Sequence, residues 1–240
     1  MRKLKFILLT AVMILTPTLY SCLDDDDDRY SLSIGTVKVI DGKDYYFLSD
    51  KGNKILPGDT TAIHNYEVID GQRVFVYFYP MDEVVSGYDY NAQVVSIQNI
   101  LTKGVFQITE ETQESIGNDP VNITYMWFGG GYLNIEFQIL GTNNPKEPHL
   151  INLVRDEENP GTEEEGYVNL EFRHNAMNDE KVERLVGIVS IKEPFTDDLS
   201  KVGLNIKVNT IYNGVEYYKI EFAEAINKVY QTGIPNAYFR

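Results

Sequence analysis

Chemistry in this chain would have to come from three histidines, one cysteine and 36 acidic side chains among 240 residues, and their spacing suits it poorly. A zinc site needs ligands at short fixed intervals, yet His64, His149 and His174 stand far apart and none opens a His-x-x-x-His or Cys-x-x-Cys pattern. There is no Gly-x-Ser-x-Gly elbow, Walker loop or Gly-x-Gly-x-x-Gly; Gly129-Gly130-Gly131 lies between two strand-like runs and reads as a hairpin turn. His149 and His174 flank strand-like runs and read as satisfied strand-end histidines. A glycoside or peptide hydrolase would need either two carboxylates, or an acid and one of these histidines, to converge in a cleft. The acid-rich loop 156–165 offers carboxylates to calcium but lacks the ordered Asp-x-Asp-x-Asp-Gly spacing with a distal Glu, so it reads as a solvated hairpin loop. The expectation is no catalytic residue, no metal and no cofactor.

The single cysteine has a different use. A basic start (Arg2, Lys3, Lys5), the apolar run Phe6 to Leu15 and small Ser21 before Cys22 read as a secretory signal over residues 1–21, too short in its apolar part to span a bilayer. The junction Leu19-Tyr20-Ser21-Cys22 resembles a bacterial lipobox, although Tyr20 is bulkier than usual there. The resemblance implies a Cys22 acylated on its thiol and amine and held by several acyl chains. Residues 22–29 form a tether, because the run Asp24, Asp25, Asp26, Asp27 and Asp28 repels itself and buries nothing. An acid cluster just behind a lipidated cysteine also resembles the surface-export signal of Bacteroidetes lipoproteins, which implies an outer-membrane protein facing the cell exterior.

Removing the leader takes away three cations and no acid, so the net charge goes from −15 to −18. Such a field repels phosphate backbones and excludes nucleic acid as a partner class, leaving an unknown protein partner or a neutral glycan. The remaining chain is long enough for one or two cores, which hold together without an internal disulfide because Cys22 is unique.

Apolar residues alternate with period two almost throughout, so the fold is expected to be all-β. In the run 72–80, Val74, Val76 and Phe78 share one face, and Phe75, Tyr77 and Tyr79 share the other. With strands at 31–40, 44–48 and a long 89–101 able to bend, residues 30–108 are expected to close a small barrel. Barrel aromatics, Tyr45, Phe75, Tyr77, Tyr79, Tyr88 and Tyr90 among them, are expected mainly in core and interface packing, with a stacking platform for a neutral glycan as the alternative. Polar residues 109–120 read as a linker. Seven strands, at 121–128, 132–140, 149–155, 167–173, 184–191, 202–208 and 216–222, suit a β-sandwich over 121–240, with one helical turn at 196–201.

Tyr45-Tyr46-Phe47, Asp50-Lys51-Gly52, Ile55-Leu56-Pro57, Gly71-Gln72-Arg73-Val74, Gly87-Tyr88-Asp89-Tyr90 and Ile97 to Lys103 resemble the N-terminal domain of the NigD-like lipoproteins. Tyr132 to Ile135, His149 to Val154 and Leu170 to Asn175 resemble their C-terminal domain. The resemblance implies an OB-like five-stranded barrel followed by an immunoglobulin-like sandwich. It also implies a non-enzymatic accessory of the bacteriocin-immunity kind, and it brings no catalytic or ligand-binding residues with it.

Overall fold

The computed structural model describes residues 30–42, 44–142, 148–156, 164–192, 195 and 200–223. The leader, Cys22, Asp24 to Asp28, most of the acidic loop and most of the helical turn expected at 196–201 lie outside the described residues.

The first half is a closed barrel of β1 (Ser31–Asp41), β2 (Asp44–Ser49), β3 (Lys54–Asp59), β4 (Arg73–Pro80) and β5 (Tyr90–Asn99), ordered β1-β2-β3-β5-β4. β1 serves two neighbours, pairing β4 through Ser31 to Thr36 and β2 from Gly35 onward. The handover falls at Gly35, where an added Cβ would lie 2.8 Å from the Leu48 carbonyl oxygen. β5 also bends as its length suggested, pairing β3 at Tyr90 to Gln93 and β4 from Ala92 onward. Val74, Val76 and Phe78 fill the barrel with Val37, Phe47, Ile55, Ala92 and Val94. Burying each of the larger side chains contributes about 1.5–3 kcal/mol. The opposite face of β4 is thereby turned outward.

The chain leaves the barrel at Ile100. β6 (Leu101–Lys103) and β7 (Phe106–Ile108) pair in parallel with β12 (Glu183–Ile191) and β10 (Leu150–Asp156), so residues 101–108, expected in the barrel, are edge strands of the sandwich. The expected linker 109–120 is also part of the sandwich. It carries α1 (Gln113–Ile116), whose Ile116 packs with Ile108 and Val154, and its Asp119 backbone N–H donates to the His174 carbonyl.

The other strands are β8 (Asn122–Gly129), β9 (Tyr132–Gly141), β11 (Tyr167–Asn175), β13 (Gly203–Thr210) and β14 (Gly214–Glu221). They complete a four-stranded sheet, β6-β12-β9-β8, and a five-stranded sheet, β14-β13-β11-β10-β7. The expected hairpin is present, with Gly130 and Gly131 at φ of 59° and 82° between β8 and β9. Alternate residues Leu133, Ile135 and Phe137 of β9 face Ile151, Leu153, Phe172, Leu204 and Ile206 across the core.

The domains meet through the outer face of β1 and β4 and the outer face of the four-stranded sheet. Ile34, Phe75 and Ile100 are buried there, with Leu32, Tyr77, Trp127 and Ile188 packed against them.

Candidate functional site

Besides the pairing of Glu171 with Arg173 and Lys207 on the five-stranded sheet, two polar centres among the described residues bring ionisable side chains together, one at each end of β9. The first forms because β10 and β11 are antiparallel and Ile151 lies opposite His174, which places His149 beside the same ring. The two imidazoles lie edge to edge, with ring planes 20° apart and centroids 5.0 Å apart, and His149 Nδ1 lies 2.8 Å from His174 Nε2. His149 Nε2 lies 2.9 Å from Asp179 Oδ2, and His174 Nδ1 is 3.2 Å from the Pro120 carbonyl oxygen. The Thr142 backbone N–H and hydroxyl donate to Asp179 at 2.5 and 2.6 Å, and the Glu180 N–H donates at 2.9 Å.

Asp179 is carried on the turn after β11, where Met177 and Asn178 adopt φ of 53° and 65°. Asn accepts that left-handed backbone readily, whereas Met there costs about 1–2 kcal/mol. The turn is pinned on both sides, by Asp179 and by the Ala176 N–H donating 2.8 Å to Asp119 Oδ2. Gly141 leaves space for the arrangement, since a Cβ there would lie 2.5 Å from the His149 ring. The hydrogen bonds from Thr142 and His149 hold the Asp179 carboxyl well below the usual carboxylate range. Burial pushes His174 down, as does the neighbouring His149 charge, against the raising influence of Pro120 and Asp119. His174 is 1% exposed, and the side chains of His149 and Asp179 are 7% and 4% exposed.

The strands alone could have suggested the His149–His174 contact, because pairing the runs 149–155 and 167–173 as a hairpin brings the two positions near each other. Asp179 had no such signal. His64 stands apart, exposed between β3 and β4. Among the described residues no group of three or more His, Cys, Asp and Glu is arranged to hold a metal ion.

The second centre is the domain junction. Arg73, wholly buried at the start of β4, forks onto Asp50, with Nη1 to Oδ1 at 2.5 Å and Nη2 to Oδ2 at 2.8 Å. Nη1 also donates to Thr36 at 3.2 Å, and Nη2 donates to Asn134 Oδ1 of β9 at 3.2 Å. The Ser190 hydroxyl donates to the same Asn134 oxygen at 2.6 Å. The guanidinium lies over the Tyr132 ring, 4.6 Å from its centroid. Gly129 and Gly130 press against Asp50, where a Cβ on either would come within 2.4 Å of a carboxylate oxygen. This centre ties barrel to sandwich and was missed in the sequence, where Arg73 appeared only within the run 72–80 and the stretch Gly71-Gln72-Arg73-Val74.

The six candidate platform aromatics divide among different places. Phe75 is 9% exposed inside the junction, and Tyr77 packs on it. Tyr30 meets Tyr77 and Tyr79 edge-on at 5.6 and 6.5 Å. Tyr45 packs on Phe47 at the barrel core, Tyr88 meets Tyr46, and Tyr90 meets Phe78. Across the junction Tyr125 stacks on Trp127 at 5.4 Å, and Trp127 belongs to the same cluster as Tyr77. Tyr30 with Tyr77 and Tyr79 on the barrel, and Trp127 with Tyr125 on the sandwich, are therefore two ring groups that both border the junction cluster.

Comparison with known proteins fits this two-domain plan. Residues 34–100 match the NigD-like N-terminal OB domain and residues 104–222 match the NigD-like C-terminal beta sandwich domain. A protein of Parabacteroides distasonis described as toxin-related is 30% identical, with 83% of this chain and 98% of that one aligned at a TM-score of 0.66. A Bacteroides vulgatus protein of unknown function is 25% identical over 80% of this chain and 90% of that one, also at 0.66. A Bacteroides caccae protein described as a NigD-like immunity protein is 22% identical over 82% and 93%, at 0.58, and shares the fold. No curated protein matches the sequence. With both domains matched in order and a relative at 30% identity covered almost end to end, the chain belongs to the NigD-like family.

Proposed function

We propose that this protein is a non-enzymatic envelope lipoprotein, held by Cys22 in the outer membrane and facing the cell exterior, that acts through contacts with another protein as an immunity-type accessory. The observation that carries the reading is the closure of the acid–base centre. His149, His174 and Asp179 take one another, Thr142 and Pro120 as partners and are almost fully buried, whereas a general base has to come within hydrogen-bonding reach of a substrate. The leader, Cys22 and the acid run support the address, and the likeness to the Bacteroides caccae protein described as a NigD-like immunity protein supports the role. A labelled fatty acid is expected to enter the wild type and not Cys22→Ala, and external protease to remove the wild type from intact cells while sparing a variant with Asp24 to Asp28 made neutral. Equal protease access of the two would contradict the export role, and turnover of a peptide or glycan that is lost in His149→Ala would replace the reading with a hydrolase.

The two ring groups that border the junction, Tyr30 with Tyr77 and Tyr79 and Trp127 with Tyr125, favour a second reading, a binding face for a neutral glycan, because sugars stack on aromatic faces and the acidic chain repels anions. Trp127 is the single tryptophan, so its fluorescence reports directly on its own group with Tyr125. Saturable change on titration with neutral oligosaccharides, abolished in Tyr125→Ala, supports it; an unchanged spectrum removes it.

A further inference from the structure

His149 and His174 form a row of four ring nitrogens with an acceptor at each end, the Asp179 carboxylate and the Pro120 carbonyl. Asp179 receives three further donors, from Thr142 and Glu180, so it stands as the anion. An acceptor at each end requires a proton on His149 Nε2 and one on His174 Nδ1. The contact between Nδ1 of His149 and Nε2 of His174, at 2.8 Å, requires one proton between them and no more. Three protons on two imidazoles make one positive charge, opposite the single charge of Asp179.

The geometry points to a shared-proton site: the pair holds one extra proton, and this locks the end of the sandwich away from the barrel. With two protons, one of the three contacts sets lone pair against lone pair. With four, two N–H groups point at each other. Around the pair the charged groups are Asp179, Asp119 and Lys181, and the last two act on His174 in opposite directions. Because β9 is ten residues long, this centre lies about 30 Å from the junction. The parts it holds are the end of β9 at Gly141 and Thr142, the start of β10, the end of β11, the turn 176–182 and the segment 119–120.

His174 is depressed in the folded state, so an unfolded or opened chain takes up protons below about pH 6.5 that the closed pair refuses. Closure is therefore strongest near that value: it weakens as pH falls through it, and it weakens again where rising pH removes the extra proton that the closed pair holds and an opened chain does not. The contribution of Asp179, also depressed, is lost only below about pH 4 and stays apart from this window. Acid would add one proton to the pair, break the Nδ1–Nε2 bond and free the turn carrying Asp179.

The test is a ring-nitrogen NMR titration of the chain carrying Cys22→Ser, which leaves both domains whole, with exposed His64 as a reference in the same spectra. The expected result is three bound protons on the pair at pH 7.5 and loss of the shared bond between pH 6.5 and 5. In the same interval the Thr142 and Glu180 amides should lose protection by up to about tenfold per pH unit, the limit for one proton taken up on opening. Asp179→Asn should drop the pair to two protons; if that variant does not fold, the wild-type titration decides alone. Two protons on the pair at pH 7.5, or amide protection unchanged down to pH 5, overturns the assignment.

Discussion

The two polar centres at the ends of β9 bury ionisable groups by opposite means. At the junction the cation is an arginine, charged at every accessible pH, and Asp50 meets it as a two-pronged pair, yet Arg73 Nε finds no partner among the described residues. At the distal end every ring nitrogen has a partner, but only in one protonation state. Permanent charge makes the union of the domains indifferent to pH, whereas shared titratable charge makes the far end sensitive to it. Interdomain geometry should therefore persist under conditions that open the sandwich tip.

The comparison breaks most visibly at Arg73. Arg73→Ala leaves Asp50 facing the junction without its cation and is expected to cost about 3–5 kcal/mol, the usual loss when one partner of a buried pair is removed. Thermal melts should show the same deficit at pH 5.5 and 8. Arg73→Lys should recover only part of it, since one ammonium cannot reach both Asp50 oxygens and Asn134. Gly130→Ala comes next, at about 2 kcal/mol, because φ of 59° disfavours any side chain and the new Cβ displaces Asp50. Its melting shift should be smaller in Asp50→Ala, where nothing remains to be displaced, as a double-mutant cycle would show.

Much of the junction centre's surroundings was legible in the sequence and little of the centre itself. The alternation of 73–80 gave both faces of β4, and the filling of the barrel by Val74, Val76 and Phe78 decided which face turned outward. β3 was not legible, because Pro57 lacks a backbone donor, Gly58 lacks a side chain, and its partner β5 is parallel and distant in sequence. β6 and β7 are three residues each, too short to display a period of two, so the boundary expected at 108 falls at 100 instead. Residues 109–120 are polar like a linker, yet Ile116 and Asp119 dock that stretch onto the sandwich. Arg73, Asn134 and Asp179 act across domains or sheets, at contacts that no local pattern encodes.

The smaller effects sharpen the other half of the comparison. His174→Gln is expected to flatten the acid limb of stability, where the wild type loses up to about 1.4 kcal/mol per pH unit below pH 6.5, while Arg73→Ala keeps that slope. Melting curves at half-unit intervals from pH 8 to 5 would separate the two. Smallest of all is Lys219→Ala, at the exposed pair with Glu164 beside β14, for which no measurable shift in melting temperature is expected at either pH.

Hydrogen exchange of the wild type at pH 5.5 and 7.5, corrected for intrinsic rates, tests the contrast most directly. The expected result is that amides at the distal end, Thr142, Asp179 and Glu180, lose protection in acid, while Asp50, Gly71 and Ile100 beside the junction keep theirs. Equal loss at both ends, or loss at the junction first, would contradict the division into a pH-indifferent union and a proton-dependent tip.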